Sequence, residues 1–117
     1  MIVVLTFLNI LENGAQAMMG KGRAGGDPPR FTLQVRPEGE MVRVDIEDNG
    51  PGIPEEVRKR VFEPFYTTKG IGVGTGLGLS VSYFIITENH GGSLSVESIP
   101  GRGAMFIIRL PMKTPIQ

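Results

Sequence analysis

The sequence predicts a single α/β domain with the element order α-β-β-α-loop-α-β-β. Three observations carry this reading. The chain starts with an apolar helical run, it holds two pairs of strand-like segments each folded about a Gly/Pro-rich turn, and a second apolar helix stops at His90-Gly91-Gly92. The 117 residues suit one core that buries roughly two-thirds of the surface exposed by the unfolded chain.

Taken in order, the first helix runs from about Val3 to Met19 and ends at Gly20. Its apolar residues Val4, Leu8, Leu11 and Ala15 share one face at i, i+4, i+7, i+11 spacing, which predicts the buried stripe. Gly20–Arg30 is glycine- and proline-rich and reads as a flexible connection in which Lys21, Arg23 and Arg30 are solvated. Phe31–Arg36 and Met41–Glu47 read as strands joined through Pro37-Glu38-Gly39-Glu40. Pro54 followed by Glu55 and Glu56 starts a short helix to about Arg60. Val61–Gly76 is mostly loop, Gly78–Asn89 a long apolar helix, and Ser93–Ser98 with Ala104–Leu110 a closing hairpin around Pro100-Gly101-Arg102-Gly103. Met18 and Met19 read as packing filler and Arg102 as a hairpin tip.

Composition removes several classes of function. Twelve basic residues balance twelve acidic ones, so the chain carries no electrostatic footprint for nucleic acid or an anionic membrane. Without cysteine there is no disulfide framework, thiol nucleophile or cysteine-held metal, which fits a reducing compartment. The apolar start, Met1–Leu11, is too short to span a bilayer and lacks the flanks of a signal peptide; it reads as core helix.

Three patterns suggest chemistry. Asn9 and Asn13 stand four residues apart on an apolar helix, so their amides share a face. An amide oxygen is a neutral, hard ligand that suits Mg²⁺ beside a phosphate, although the pair fits polar backbone or water equally well. At the end of a strand, Asp48-Asn49-Gly50-Pro51-Gly52-Ile53-Pro54 offers a carboxylate able to accept from an exocyclic amino group, with glycines that let backbone approach a flat ring. Such a carboxylate would reject guanine, whose carbonyl brings no donor; taken alone, the segment also reads as a plain turn. From Gly70 to Gly78 glycine recurs at every second position and passes straight into a helix. That arrangement frees backbone N–H groups for a polyphosphate at a helix start, with Lys69 as a cation and Thr75 and Ser80 as hydroxyls. The rival phosphate motifs fail. Gly20-Lys21 is followed by Gly22 and preceded by Ala15 where a P-loop needs glycine, and Leu77 or Leu79 occupies the third place of G-x-G-x-x-G.

Together these segments resemble the four boxes of the histidine-kinase-type ATPase family, which also includes gyrase, a heat-shock chaperone and a mismatch-repair ATPase. Leu8–Ala17 is similar to its N box, Asp48–Pro54 to its first glycine box, Val61–Lys69 (VFEPFYTTK) to its F box and Gly74–Ser80 to its second glycine box. Gly91-Gly92-Ser93 through Phe106 and Leu110-Pro111 resembles its closing hairpin. The wording is most like sensor histidine kinases of two-component signalling.

The resemblance implies a Bergerat-type, two-layer α/β sandwich in which a mixed sheet packs against three helices and ATP lies beneath a lid. It further implies one ATP-binding catalytic domain over residues 1–117, cut from a longer kinase and lacking the family's first strand. By matching position, Asn13 would hold Mg²⁺, Asn9 would face the phosphates and Asp48 would read adenine. Gly50, Gly52 and Ile53 would lie under the base, Phe62 and Phe65 would anchor the lid, and Ala17 would line the site. Lys69, Gly74, Thr75, Gly76, Leu77, Gly78, Leu79 and Ser80 would surround the phosphates. The implied partners are a histidine-bearing dimerisation domain of the same parent and a downstream response regulator, in the cytoplasm, with the parent open to a membrane anchor.

The departures are local. Gly14 replaces the usual alanine after Asn13 and costs the helix about 1 kcal/mol relative to Ala. Ala104 stands where relatives often carry a threonine that holds a water beside the aspartate. Hydrolysing relatives place a glutamate base one turn before the metal asparagine; Asn9 cannot accept that proton, which points to transfer rather than hydrolysis. The single histidine, His90, reads as a helix stop rather than an acceptor. A serine/threonine kinase of the same fold and a non-catalytic ATP-sensing module stay open as alternatives.

Overall fold

Gly39 and Glu40 form a two-residue turn, with Gly39 at φ 63°, and everything on either side of it falls into antiparallel register. Glu38 faces Met41 across that turn, and the pairing runs unbroken to Phe31 opposite Asp48. A positive φ at the turn suits glycine and matches the twist of the flanking strands. The computed structural model describes residues 2–19, 28–64, 78–99 and 101–112. Its elements are α1 (Ile2–Met19), β1 (Phe31–Glu38), β2 (Met41–Asp48), α2 (Glu55–Arg58), α3 (Gly78–Phe84) continued by a π-helical turn (Ile85–Asn89), β3 (Ser93–Ile99) and β4 (Gly103–Pro111). Among the described residues no helix is long and apolar enough to cross a membrane.

The predicted element order holds throughout, with three differences. Pro37 and Glu38 belong to β1 rather than to the turn. This is tolerated because β1 is an edge strand, where a missing N–H leaves no ladder bond unmade. Secondly, the described four-stranded sheet, ordered β1-β2-β4-β3, is antiparallel at every pairing, not mixed. β2 and β3, joined by the helix-bearing connection, run in the same direction, but β4 folds back between them by a hairpin, so no parallel pair forms. Thirdly, the second long helix changes pitch at Ile85, where Thr87 Oγ1 donates to the Tyr83 carbonyl (2.8 Å) and Gly92 N–H caps Ile86 O (2.9 Å).

The core lies between one face of the sheet and the helices. Val44 and Ile46 of β2, Phe106 and Ile108 of β4, and Leu94 and Val96 of β3 meet Ile10 of α1, Leu79 of α3 and Ile86. The face of α1 that enters this core is not the predicted one. Thr6, Ile10, Gly14 and Met18 are buried, whereas Val4 and Leu8 are 52% and 57% exposed and Leu11 and Ala15 are half-buried. Residues 2–11 are apolar on nearly every side, so hydrophobic period cannot fix the phase. In the observed phase Gly14 faces Phe31 of β1, where a Cβ would stand 2.7 Å from the ring.

Candidate functional site

Asp48 ends β2 at the point where the chain leaves the sheet, and it is 6% exposed. Its Oδ1 accepts the N–H of Gly50 (2.9 Å) and that of Ala104 (3.4 Å). Burial raises the carboxyl's pKa above its ordinary value, and these two hydrogen bonds oppose the rise. The other oxygen, Oδ2, accepts nothing from a described residue and is not sealed from contact. The site therefore presents one oriented, unpaired acceptor at the end of a rigid strand. At Ala104, where the family resemblance implies a threonine-held water in relatives, the backbone N–H reaches the carboxylate directly.

The loop after Asp48 is clamped from several sides. Ile53 N–H donates to Ser98 Oγ (2.6 Å), and Gly101 N–H donates to the Pro51 carbonyl (2.5 Å). Asn49 ties in the start of β1: its Oδ1 accepts from Arg30 N–H (2.8 Å) and its Nδ2 donates to Pro28 O (2.9 Å). Glycine is required at residue 103 and fits tightly at residue 50. A Cβ at Gly103, φ 118°, would lie 2.0 Å from the Asp48 carbonyl oxygen, and one at Gly50 would lie 3.0 Å from Asp48 Oδ1 and 3.2 Å from Met18 Cγ. Gly52 turns the loop at φ 83°.

Across the site, α1 and α3 meet through Asn9. Its Nδ2 donates to Gly78 O and to Ser82 Oγ, both at 3.1 Å, while the Ser82 hydroxyl donates to Gly78 O at 2.9 Å. The close of the second glycine cluster is thereby fastened to the first asparagine, 69 residues away. Asn13, one turn on, is half-buried and makes no hydrogen bond to a described residue. Between the two asparagine-bearing turns and Asp48 sits Gly14. A Cβ there would stand 2.7 Å from Phe31 Cε1 and 3.4 Å from Asp48 Oδ2. Gly14 is thus not merely a weak point of the helix: its bare Cα makes room for an aromatic ring.

Several predicted residues take plain positions. Phe62 is half-buried, stacked on Tyr83 (ring centroids 5.2 Å apart) and edge-on to Phe106 (6.2 Å), which holds it against α3 and β4. Leu79 is a core residue, Ser80 and Ile53 are half-buried, and Ala17 and Gly78 are exposed. Phe65, Lys69, Gly74, Thr75, Gly76 and Leu77 lie outside the described residues. Sequence reasoning missed Phe31, Ser98 and Gly103 as supports of the Asp48 end. Only Phe31 had a signal, since counting back from a two-residue turn at Gly39-Glu40 pairs it with Asp48.

Comparison with known proteins gives this arrangement a family. The model for histidine kinase-, DNA gyrase B- and HSP90-like ATPases matches residues 2–114. The chain belongs to that family. Within this ATPase family it is 40% identical over 110 residues to the two-component sensor PprA of Pseudomonas aeruginosa, and 42% identical over 107 residues to sporulation kinase E of Bacillus subtilis. Those matches cover 94% and 92% of this chain but 12% and 13% of the relatives, so the chain spans about an eighth of their length. Among solved structures, the catalytic domain of histidine kinase ThkA superposes with TM-score 0.73 at 34% identity, over 91% of this chain and 63% of that one. The mycobacterial sensor histidine kinase MprB does so with TM-score 0.73 at 28% identity, over 92% and 70%. The α/β fold of histidine kinase catalytic domains is therefore this chain's fold, and its relatives are two-component sensor histidine kinases. None of these matches favours the serine/threonine-kinase or non-catalytic alternatives.

Proposed function

We propose that this domain binds Mg-ATP and presents the γ-phosphate to a histidine on a separate dimerisation segment of a sensor kinase, which then passes it to a response regulator. The observation that carries the reading is the Asp48 carboxylate, held by Oδ1 and open at Oδ2. An adenine amino group donates to Oδ2, whereas guanine would bring its carbonyl oxygen to the same place and leave two acceptors facing each other. Gly50 and Gly52 bring no side chain of their own to the loop beneath the base.

On the phosphate side Asn13 is the metal-facing residue, because its amide is not committed to any described group. A bound Mg²⁺ supplies charge neutralisation to the phosphates, and Asn13 would hold it. Asn9 spends its amide hydrogens on α3, so it orders the helix start beneath the phosphates and offers no base to a water. Lys69 and the glycine-rich residues Gly74 to Ser80 complete the phosphate end in this reading. Positioning then does most of the catalytic work, as is general in phosphoryl transfer. The partner histidine lies in another segment, and the parent presents this domain to the cytoplasm.

Radiolabelled ATP tests the reading. The chain alone should release little phosphate and remain unlabelled; mixed with a histidine-bearing dimerisation segment from its parent, it should label that segment in trans. Brisk phosphate release by the chain alone, or stable label on His90, contradicts it.

A further inference from the structure

We propose that Phe31 decides which adenine nucleotides fit this site, its ring walling off the space beside the open oxygen of Asp48. The proposal rests on the nucleotide-binding reading above and adds a specificity-determining residue to it. Phe31 and Asp48 are direct cross-strand partners, so their side chains rise from the same face of the sheet, with Cβ atoms about 5 Å apart as such pairs are. The helix opposite them offers Gly14. A Cβ at that position would stand 2.7 Å from Phe31 Cε1, 3.0 Å from Cζ and 3.4 Å from Asp48 Oδ2. The ring edge and the open oxygen therefore both border the bare face of Gly14, and the ring edge lies where a side chain at residue 14 would begin.

The consequence concerns the exocyclic nitrogen of the base. When it donates one hydrogen to Oδ2 it lies about 3 Å from that oxygen, and a substituent in place of its second hydrogen starts within reach of the ring. An unsubstituted amino group fits, and a bulky one meets Phe31. Removing the ring opens a hole with bare Gly14 behind it. Adding a methyl at residue 14 instead drives the ring out of its notch, since the ring is the movable partner and the helix backbone is not.

Calorimetric titration with ADP and N6-benzyl-ADP, on the wild-type chain and on Phe31→Ala, Phe31→Leu, Gly14→Ala and Gly14→Ala/Phe31→Ala, tests this. Wild type should prefer ADP by about a hundredfold, Phe31→Ala should narrow that preference by about tenfold, and Phe31→Leu should fall between. Gly14→Ala should weaken ADP binding when Phe31 is present and have little effect when it is Ala, so the two changes are non-additive. A ligand preference that stays the same in Phe31→Ala and Phe31→Leu, with ADP still bound, overturns the proposal. So does simple additivity. Should Phe31→Ala lose its cooperative melt, the conservative Phe31→Leu decides. Wild-type protein that binds no ADP refutes the nucleotide reading itself and this proposal with it; bound ADP with an unmoved preference refutes the proposal alone.

Discussion

At the Asp48 end of the site nearly every polar group has a partner, whereas at the Asn13 end the amide expected to do the chemistry has none among the described residues. Asp48 Oδ1, Asn49, Ile53 and Gly101 are all bonded, to the residues just before β1, to β3 and β4 or to the loop itself. At the α1–α3 junction Asn9 bonds Gly78 and Ser82, beside the packing of Ile10 with Leu79. In the proposed reading the contrast follows from what each end has to recognise. A flat, uncharged base is read by fixed geometry, so its acceptor is preorganised on a sheet. A charged phosphate with its metal brings its own strong interactions, so the protein leaves the ligand groups unspent until it arrives.

The sharpest way to break the rigid end is Gly103→Ala. The added methyl would meet the Asp48 carbonyl oxygen, at a φ that side chains rarely adopt, and should cost about 3 kcal/mol of stability in a denaturant melt. A loss below about 0.5 kcal/mol would mean that the hairpin tip does not clamp the loop. At the other end, Asn9→Ala should cost about 1 kcal/mol, because it removes two hydrogen bonds, one exposed and one partly buried, and leaves Ser82 with its bond to Gly78. Asn13→Ala should change stability by less than about 0.5 kcal/mol yet weaken ATP binding more in Mg²⁺ than in chelator. An equal loss in both conditions would make Asn13 an ordinary helix residue.

The smallest effect is on pH. Burial raises the Asp48 pKa in the folded state above its ordinary value of 3.8, so between the two values the folded protein binds more proton than the unfolded one. Stability therefore falls as pH rises from 3.8 through the folded pKa. Glu38 and Glu55, whose arginine partners lower their pKa values, bend the overall curve the other way. The Asp48 contribution is thus read as the difference between wild type and Asp48→Asn, which should lose this slope. Parallel pH profiles would show that burial does not strain the carboxylate.

Much of this was legible in the sequence because its signals are local. Turn residues at Gly39 and Gly101, the stop at Gly91-Gly92 and strand alternation fixed the elements to within a residue or two. Asp48 was found because its glycines follow it directly. The face of α1 was not legible, since its buried positions are a threonine, an isoleucine, a glycine and a methionine, a stripe that reads as no hydrophobic pattern at all. Gly14 looked like a defect because helix propensity is measured against water, while its cost is set here by a ring on β1. Ser98 and Ser82 act through contacts 45 and 73 residues distant, to Ile53 and Asn9, and no local pattern marks them. The all-antiparallel pairing of the described strands depends on where β4 inserts, which strand patterns alone do not encode.

In the proposed reading the open oxygen of Asp48 accepts from an adenine amino group, and calorimetry with ATP and GTP on wild type and Asp48→Ala tests this most directly. ATP should bind wild type and GTP should not, and Asp48→Ala should lose about 1.5–3 kcal/mol of ATP affinity, the worth of a hydrogen bond to a charged group. Equal affinity of wild type for the two nucleotides, or undiminished ATP binding by the variant, would contradict the account.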